Sequence, residues 1–317
     1  MSAAAVSPAA PSDAAHVGGP AIRVSGLMKS YGDIEAVRNL DLDVAYGELL
    51  AVLGPNGAGK TTTVEILEGY RDRDAGDVWV LGQDPGQPTP EWRAEIGIVL
   101  QECKLVPQLT VRESVAMYAG YYPQPRAVDE VISLVGLGEQ ADQRAGKLSG
   151  GQQRRLDVGL ALVGDPQLVF LDEPTTGFDP EARRDAWQMI AGLRDLGKTV
   201  VLTTHYMEEA QALADKVVVI VGGQIVARGT PEELGGRDQL PTRIEFELPA
   251  GCAPEQLPAL GDVELVDGHV IATTTTPTKT LGELTAWANA RGLELGGLQV
   301  TRPTLEDVYL RLIGADQ

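Results

Sequence analysis

The segment Leu49–Thr61 limits what this chain can fold into more than any other stretch. Leu49-Leu50-Ala51-Val52-Leu53 is a continuous apolar run, the pattern of a strand covered on both faces. Gly54-Pro55-Asn56-Gly57-Ala58-Gly59-Lys60-Thr61 follows without a gap, and Thr62–Tyr70 reads as a helix. A strand that feeds a glycine-rich turn and then a helix brings backbone N–H groups together at a helix N-terminus, where an anion is stabilised. Lys60 can then reach the β- and γ-phosphates of a nucleoside triphosphate, and the Thr61 hydroxyl can reach Mg²⁺. An ordinary glycine-rich turn does not need the whole pattern.

The rest of the chain alternates as an α/β protein should. Ile22–Val24 and Leu40–Val44 alternate apolar and polar residues like half-buried strands. Strands are predicted at Glu95–Gln101, Leu168–Leu171 and Thr199–Leu202, and helices at Val111–Tyr121, Val128–Val135, Gln152–Val163 and Glu181–Leu196. Gly222-Gly223 between two apolar runs marks a hairpin. The expected fold class is α/β: a P-loop nucleotide-binding core with a parallel-rich sheet and an antiparallel β part, interrupted by a helical insertion. We place that core at 21–235, with the insertion at about 103–158. Gly235-Gly236-Arg237-Asp238 marks a boundary, and 236–317 reads as a small α+β domain that regulates or dimerises. Leu305–Leu312 in that domain is an amphipathic helix that packs on its own sheet or on a twin in a dimer.

Composition narrows the partners. The net charge is −19, which argues against a nucleic-acid binder, whose affinity rests on Lys and Arg at phosphates. Cys103 and Cys252 are the two cysteines and stand in unrelated contexts, so neither a metal spacing nor a disulfide framework follows and a reducing cytosol fits. No apolar run approaches the roughly 18 residues of a membrane helix. The Ala- and Pro-rich segment 1–20 carries no Lys or Arg, unlike a secretory signal, and reads as a disordered tail.

A second constellation complements the first. Leu168-Val169-Phe170-Leu171 ends in Asp172-Glu173. Asp172 can hold Mg²⁺ directly or through water, and Glu173 can polarise the water that attacks a γ-phosphate. Ahead of it stands Leu148-Ser149-Gly150-Gly151-Gln152, glycine-rich but not needed to hold phosphates within one chain. Together with Gly54–Thr62, Leu171–Pro174 and Thr204-His205, this stretch resembles the nucleotide-binding subunit of an ATP-binding cassette (ABC) transporter, over about residues 21–235. Thr61–Tyr70, Leu148–Leu162 and Pro303–Leu310 are similar to the daunorubicin-resistance type of drug and lipid exporters.

The resemblance implies roles residue by residue. ATP and Mg²⁺ are the implied cofactors. Gly54, Pro55, Asn56, Gly57, Ala58, Gly59, Lys60, Thr61 and Thr62 would cradle the phosphates, and Tyr31 would stack on adenine rather than merely end a strand. Thr61, Gln101 and Asp172 would hold Mg²⁺. Glu173, His205 and Gln101 would be catalytic, with His205 on the γ-phosphate and Gln101 sensing the membrane subunit. Ser149, Gly150, Gly151, Gln152 and Asp179 would serve the nucleotide held by a second ATP-binding subunit, giving a homodimer. Phe178 departs from the family's usual Leu, and Cys103 reads as a packing residue. His16 and His269 have no comparable context.

The resemblance further implies an ATPase peripheral to the cytoplasmic face of the membrane, held there by integral permease subunits. The activity it favours is energising export of a drug-like or lipid-like compound through a separate permease; the alternatives are energising an importer, or acting as a soluble cassette ATPase on ribosomes or DNA. The strong negative charge and the lack of a second cassette disfavour the last.

Overall fold

A computed structural model describes residues 19–100 and 105–314. The expected tail at 1–20 falls almost wholly outside them, as do His16, Gln101 and Cys103. The chain begins with strands β1 (Ile22–Tyr31), β2 (Ile34–Val44) and β3 (Leu49–Leu53), then helix α1 (Lys60–Leu67), β4 (Ala75–Val80), α2 (Pro90–Ala94) and β5 (Ile96–Val99). Helices α3 (Val111–Ala119), α4 (Val128–Leu134) and α5 (Gly150–Leu162) form the insertion. They are followed by β6 (Leu168–Asp172), α6 (Pro180–Asp195), β7 (Thr199–Thr203), α7 (Met207–Leu213) and the hairpin β8 (Lys216–Val221) and β9 (Gln224–Gly229). The last part holds β10 (Thr242–Glu247), β11 (Asp262–Val266), β12 (His269–Thr274), α8 (Pro277–Ala290), β13 (Gln299–Thr301) and α9 (Leu305–Gly314).

The core sheet has the order β5-β6-β7-β3-β8-β9, parallel except for the β8–β9 hairpin. Its central strand is buried on both faces, as its apolar run requires. Leu50 and Val52 pack toward α1 and the antiparallel sheet β2-β1-β4. Leu49 faces the helical layer built from α3 to α6, and Ala51 and Leu53 share that side with Ala210 of α7. Alternation with a period of two therefore fixes which layer each residue joins. Because every strand of the parallel part points the same way, the turns after β3, β6 and β7 meet at one edge. Those turns carry the glycine loop, Asp172-Glu173 and Thr204-His205.

Strand β4 and helices α2 and α7 have no counterpart in the sequence reading. Strand β4 buries only Val78 and Val80 and starts at Ala-Gly-Asp, so its apolar signal is short. The antiparallel sheet β11-β12-β10-β13 packs its centre on α8 through Ile244, Phe246, Val270 and Leu284. Helix α9 does not join that small core. Leu305 lies with Leu53, Val217, Val219 and Ala210, so the helix packs on the nucleotide-binding core beside α7.

Candidate active site

The glycine loop adopts a cradle that its sequence alone permits. Gly59 has φ +100°, and a Cβ there would sit 2.2 Å from the Ala36 carbonyl of β2, so no other residue fits. Lys60 starts α1 and is buried. Its ammonium folds back on the loop, donating to the carbonyls of Gly54 at 2.8 Å and Pro55 at 3.1 Å. Burial lowers the Lys60 pKa, against the attraction of Glu173 and Asp172 nearby. An anion entering the loop can replace those carbonyls and restore the favourable field around the charge.

The two carboxylates at the end of β6 diverge, as their adjacency predicts. Asp172 continues the strand and accepts a short hydrogen bond from the Thr203 hydroxyl of β7. Glu173 turns away at φ +44°, a left-handed conformation that costs a non-glycine residue about 1–3 kcal/mol. Its backbone N–H is held by the carbonyl and hydroxyl of Thr203, both at 3.1 Å. The Glu173 carboxylate then meets His205, with Oε1 3.3 Å from Nδ1, and accepts from the Thr176 hydroxyl at 3.1 Å. An acceptor carboxylate and an imidazole facing one space can share the work of moving a proton and stabilising charge.

Beneath this pair is a buried acid that the sequence reading did not single out. Glu209 of α7 is fully buried and accepts from the Thr175 hydroxyl at 2.8 Å and the Trp187 indole N–H at 3.1 Å. Burial pushes its carboxyl up, against hydrogen bonds from Thr204, Thr175 and Trp187. It thereby ties the loop after Glu173 to the loop carrying His205. Arg154 of α5 anchors the turn around Glu173 as well, donating to the carbonyls of Asp172 at 2.8 Å and Pro174 at 3.1 Å. Both residues look like ordinary helix positions in sequence, and the contacts that define them cross the fold.

One cavity of about 780 Å³ gathers the site. Tyr31, the stretch Gly54–Thr62, Glu173 and His205 line it, together with Ala36 and Tyr309, which sequence reasoning did not place there. Tyr31 is 40 % exposed, with the guanidinium of Arg71 5.3 Å from its ring centre. The volume lies in the range of small-molecule sites and suits a nucleotide. Asp172 stands beside the cavity rather than in its lining.

Ser149, Gly150, Gly151, Gln152 and Asp179 are not brought to that cavity. Ser149 caps α5, its Oγ accepting from the Gln152 N–H at 3.3 Å while the Gln152 side chain accepts from the Ser149 N–H at 3.0 Å. Asp179 caps α6, accepting from the Glu181 and Ala182 N–H groups at 3.0 and 2.9 Å. Ser149, Gly150 and Asp179 are exposed. His269 lies on β12, away from the cavity.

A parallel sheet whose glycine loop, paired carboxylates and histidine meet at one edge defines a P-loop nucleotide-binding protein. Residues 37–176 match the family described as ABC transporter, and 242–304 match the C-terminal domain of ABC transporter domain-containing proteins. The chain is 39% identical over 306 residues to the Nod factor export ATP-binding protein I of Rhizobium sp. strain N33, covering 93% of this chain and 98% of that one. It is 36% identical over 306 residues to the daunorubicin resistance ATP-binding protein DrrA3 of Streptomyces coeruleorubidus, covering 94% and 97%. Identity to the linearmycin resistance ATP-binding protein LnrL of Bacillus subtilis is 33%, over 92% and 98%. Among solved structures, an ABC transporter subunit of Clostridium perfringens matches with a TM-score of 0.62 at 26% identity, covering 68% of this chain and 90% of that one. A cassette described as a dimer in a post-hydrolysis state with ADP and phosphate matches with a TM-score of 0.59 at 26% identity, covering 66% and 98%. The chain belongs to the ABC transporter family as an ATP-binding subunit, an ATPase whose hydrolysis is coupled to transport.

Proposed function

We propose that this subunit energises export of a drug-like or lipid-like compound through a separate membrane permease. The single observation that carries the reading is the near full-length similarity to ATP-binding proteins of export and resistance systems, C-terminal region included. Among the described residues no helix is long and apolar enough to cross a membrane, so these residues would act on a membrane partner from its surface. The groove between α1, α2, β5 and α3 exposes Tyr70, Ile98 and Leu100 and offers an apolar seat for that partner.

In the proposed cycle Lys60 leaves the Gly54 and Pro55 carbonyls for the β- and γ-phosphates, and Tyr31 stacks on adenine. Mg²⁺ would fit the donor set, since Thr61 and Asp172 supply the hard oxygens it prefers. When bound, it neutralises charge on the phosphates. Gln101, the third expected ligand, lies outside the described residues. Glu173 takes a proton from water as the water oxygen bonds to the γ-phosphorus and the bond to ADP breaks, while His205 donates to the γ-phosphate. Ser149, Gly151 and Asp179 complete the site of a second copy, so that ATP joins a homodimer and its hydrolysis releases it.

Co-expression with any six-helix permease encoded beside this gene tests the reading. Retention of the chain on membranes only in its presence is expected. Co-sedimentation with ribosomes instead would move it to the soluble class.

A further inference from the structure

Helix α9 is held on the nucleotide-binding core at a fixed rotation. Arg237 grips the chain just before it, donating to the carbonyls of Pro303 at 2.7 Å and Pro231 at 2.9 Å. The clamp ties the exit of the 242–301 sheet unit to its entry. Gly235, at φ +60°, passes so near the helix that a Cβ would lie 2.6 Å from Val308 Cγ1. Thr304 and Asp307 close the first turn reciprocally, N–H to Oδ2 at 2.7 Å and N–H to Oγ1 at 3.1 Å. Leu305 and Val308 are each 1% exposed and seal the helix in place.

The next position is Tyr309, which lines the cavity of Lys60, Glu173 and His205. It packs on the same buried cluster as Met207, two residues beyond His205. The ring is half-buried, and its hydroxyl has no hydrogen-bond partner among the described residues. Burial raises its pKa, so at neutral pH the phenol remains a donor. A donor that no protein group engages, at the wall of a cavity built for a polyanion, can exchange water for a phosphate oxygen when that anion is present.

We propose that Tyr309 is a ligand of the terminal phosphate of bound ATP, through which the carboxy-terminal sheet unit registers whether a triphosphate or a diphosphate is held. The inference rests on the ATP reading of the cavity. Motion of α9 on nucleotide binding would pass through the Arg237 clamp to both ends of the sheet unit. The site is then assembled from the beginning, middle and end of the chain.

Calorimetric titration of the full chain with MgADP and with Mg²⁺ and the non-hydrolysable analogue AMP-PNP tests it. Tyr309→Phe keeps the ring and its packing and removes the donor. The variant should bind the triphosphate analogue about tenfold more weakly, and MgADP as the parent does, as expected for one lost hydrogen bond to a charged group. Equal affinities of variant and parent for both ligands would overturn the assignment, and so would an equal loss for both. A parent chain that binds neither ligand would refute the ATP reading itself and this inference with it. Hydrogen exchange supplies a second readout: Leu305–Leu312 should gain protection with the triphosphate analogue in the parent and not in Tyr309→Phe. Protection that is the same in both would contradict the coupling.

Discussion

The two glycine-rich stretches of this chain behave oppositely. Gly54–Thr61 is built inward: its lysine is buried, its backbone presses on β2, and its residues line one cavity with Glu173 and His205. Leu148–Gln152 is built outward: Ser149 and Gly150 are exposed, and the polar groups of Ser149 and Gln152 serve each other at a helix cap. The first stretch lines its cavity within one chain. Arg154 of the same helix links the second to the first in its own chain, through the carbonyls of Asp172 and Pro174. The proposed role of the second stretch at another copy's nucleotide rests on that exposed helix N-terminus, where an anion is favoured.

The contrast can be broken first at the inward site. Glu173→Gln keeps the shape of the Glu173–His205 pair but removes the base, so steady-state phosphate release should fall by ~10²–10⁴-fold while ATP still binds. Near-normal turnover would remove Glu173 from the chemistry. Lys60→Ala removes the buried ammonium at the cradle, and filter binding of ATP should weaken by about 10²-fold, the scale of a lost charge-assisted contact. Unchanged affinity would show that the loop holds phosphate with its backbone alone.

At the outward site the expected local effect is smaller. Ser149→Ala loses a capping hydrogen bond, worth about 1 kcal/mol of stability by denaturant titration. If hydrolysis falls no further than that loss explains, Leu148–Gln152 is a helix cap and nothing more. The smallest effect concerns Glu68, at the end of α1, whose carboxyl is pushed from the ordinary 4.5 up to about 8 by burial, then by Asp172 and Glu65. Between those values the folded chain holds more protons than the unfolded one, so stability falls as pH rises through that window. Glu68→Gln should therefore gain about 2–6 °C in Tm at pH 8.5 and nothing at pH 4. A gain that does not depend on pH would contradict a strained ionised Glu68.

How much of this was legible depended on whether the signal is contiguous. The cradle is written in consecutive residues, and the parallel core follows from apolar runs that end in polar turns. Strand β4 and helix α7 were not read, because each carries too few apolar positions to show a period. The Glu173–His205 contact joins the turns after two different strands, so spacing gave no sign of it, and the resemblance to the family implied only that both residues act at the γ-phosphate. Arg154, Glu209 and Tyr309 are set by packing between elements. The pattern Leu305, Val308, Leu312 marks the buried face of α9, and Tyr309 sits at its edge, but nothing in the sequence says which surface that face meets.

The central claim is that the outward glycine stretch completes the nucleotide site of another copy. Light scattering after size-exclusion chromatography of Glu173→Gln with MgATP tests it directly. The account predicts a species of twice the single-chain mass with MgATP, none with MgADP, and none when Ser149→Ala is added. A chain that stays monomeric with MgATP, or a dimer that forms equally well without Ser149, would contradict it.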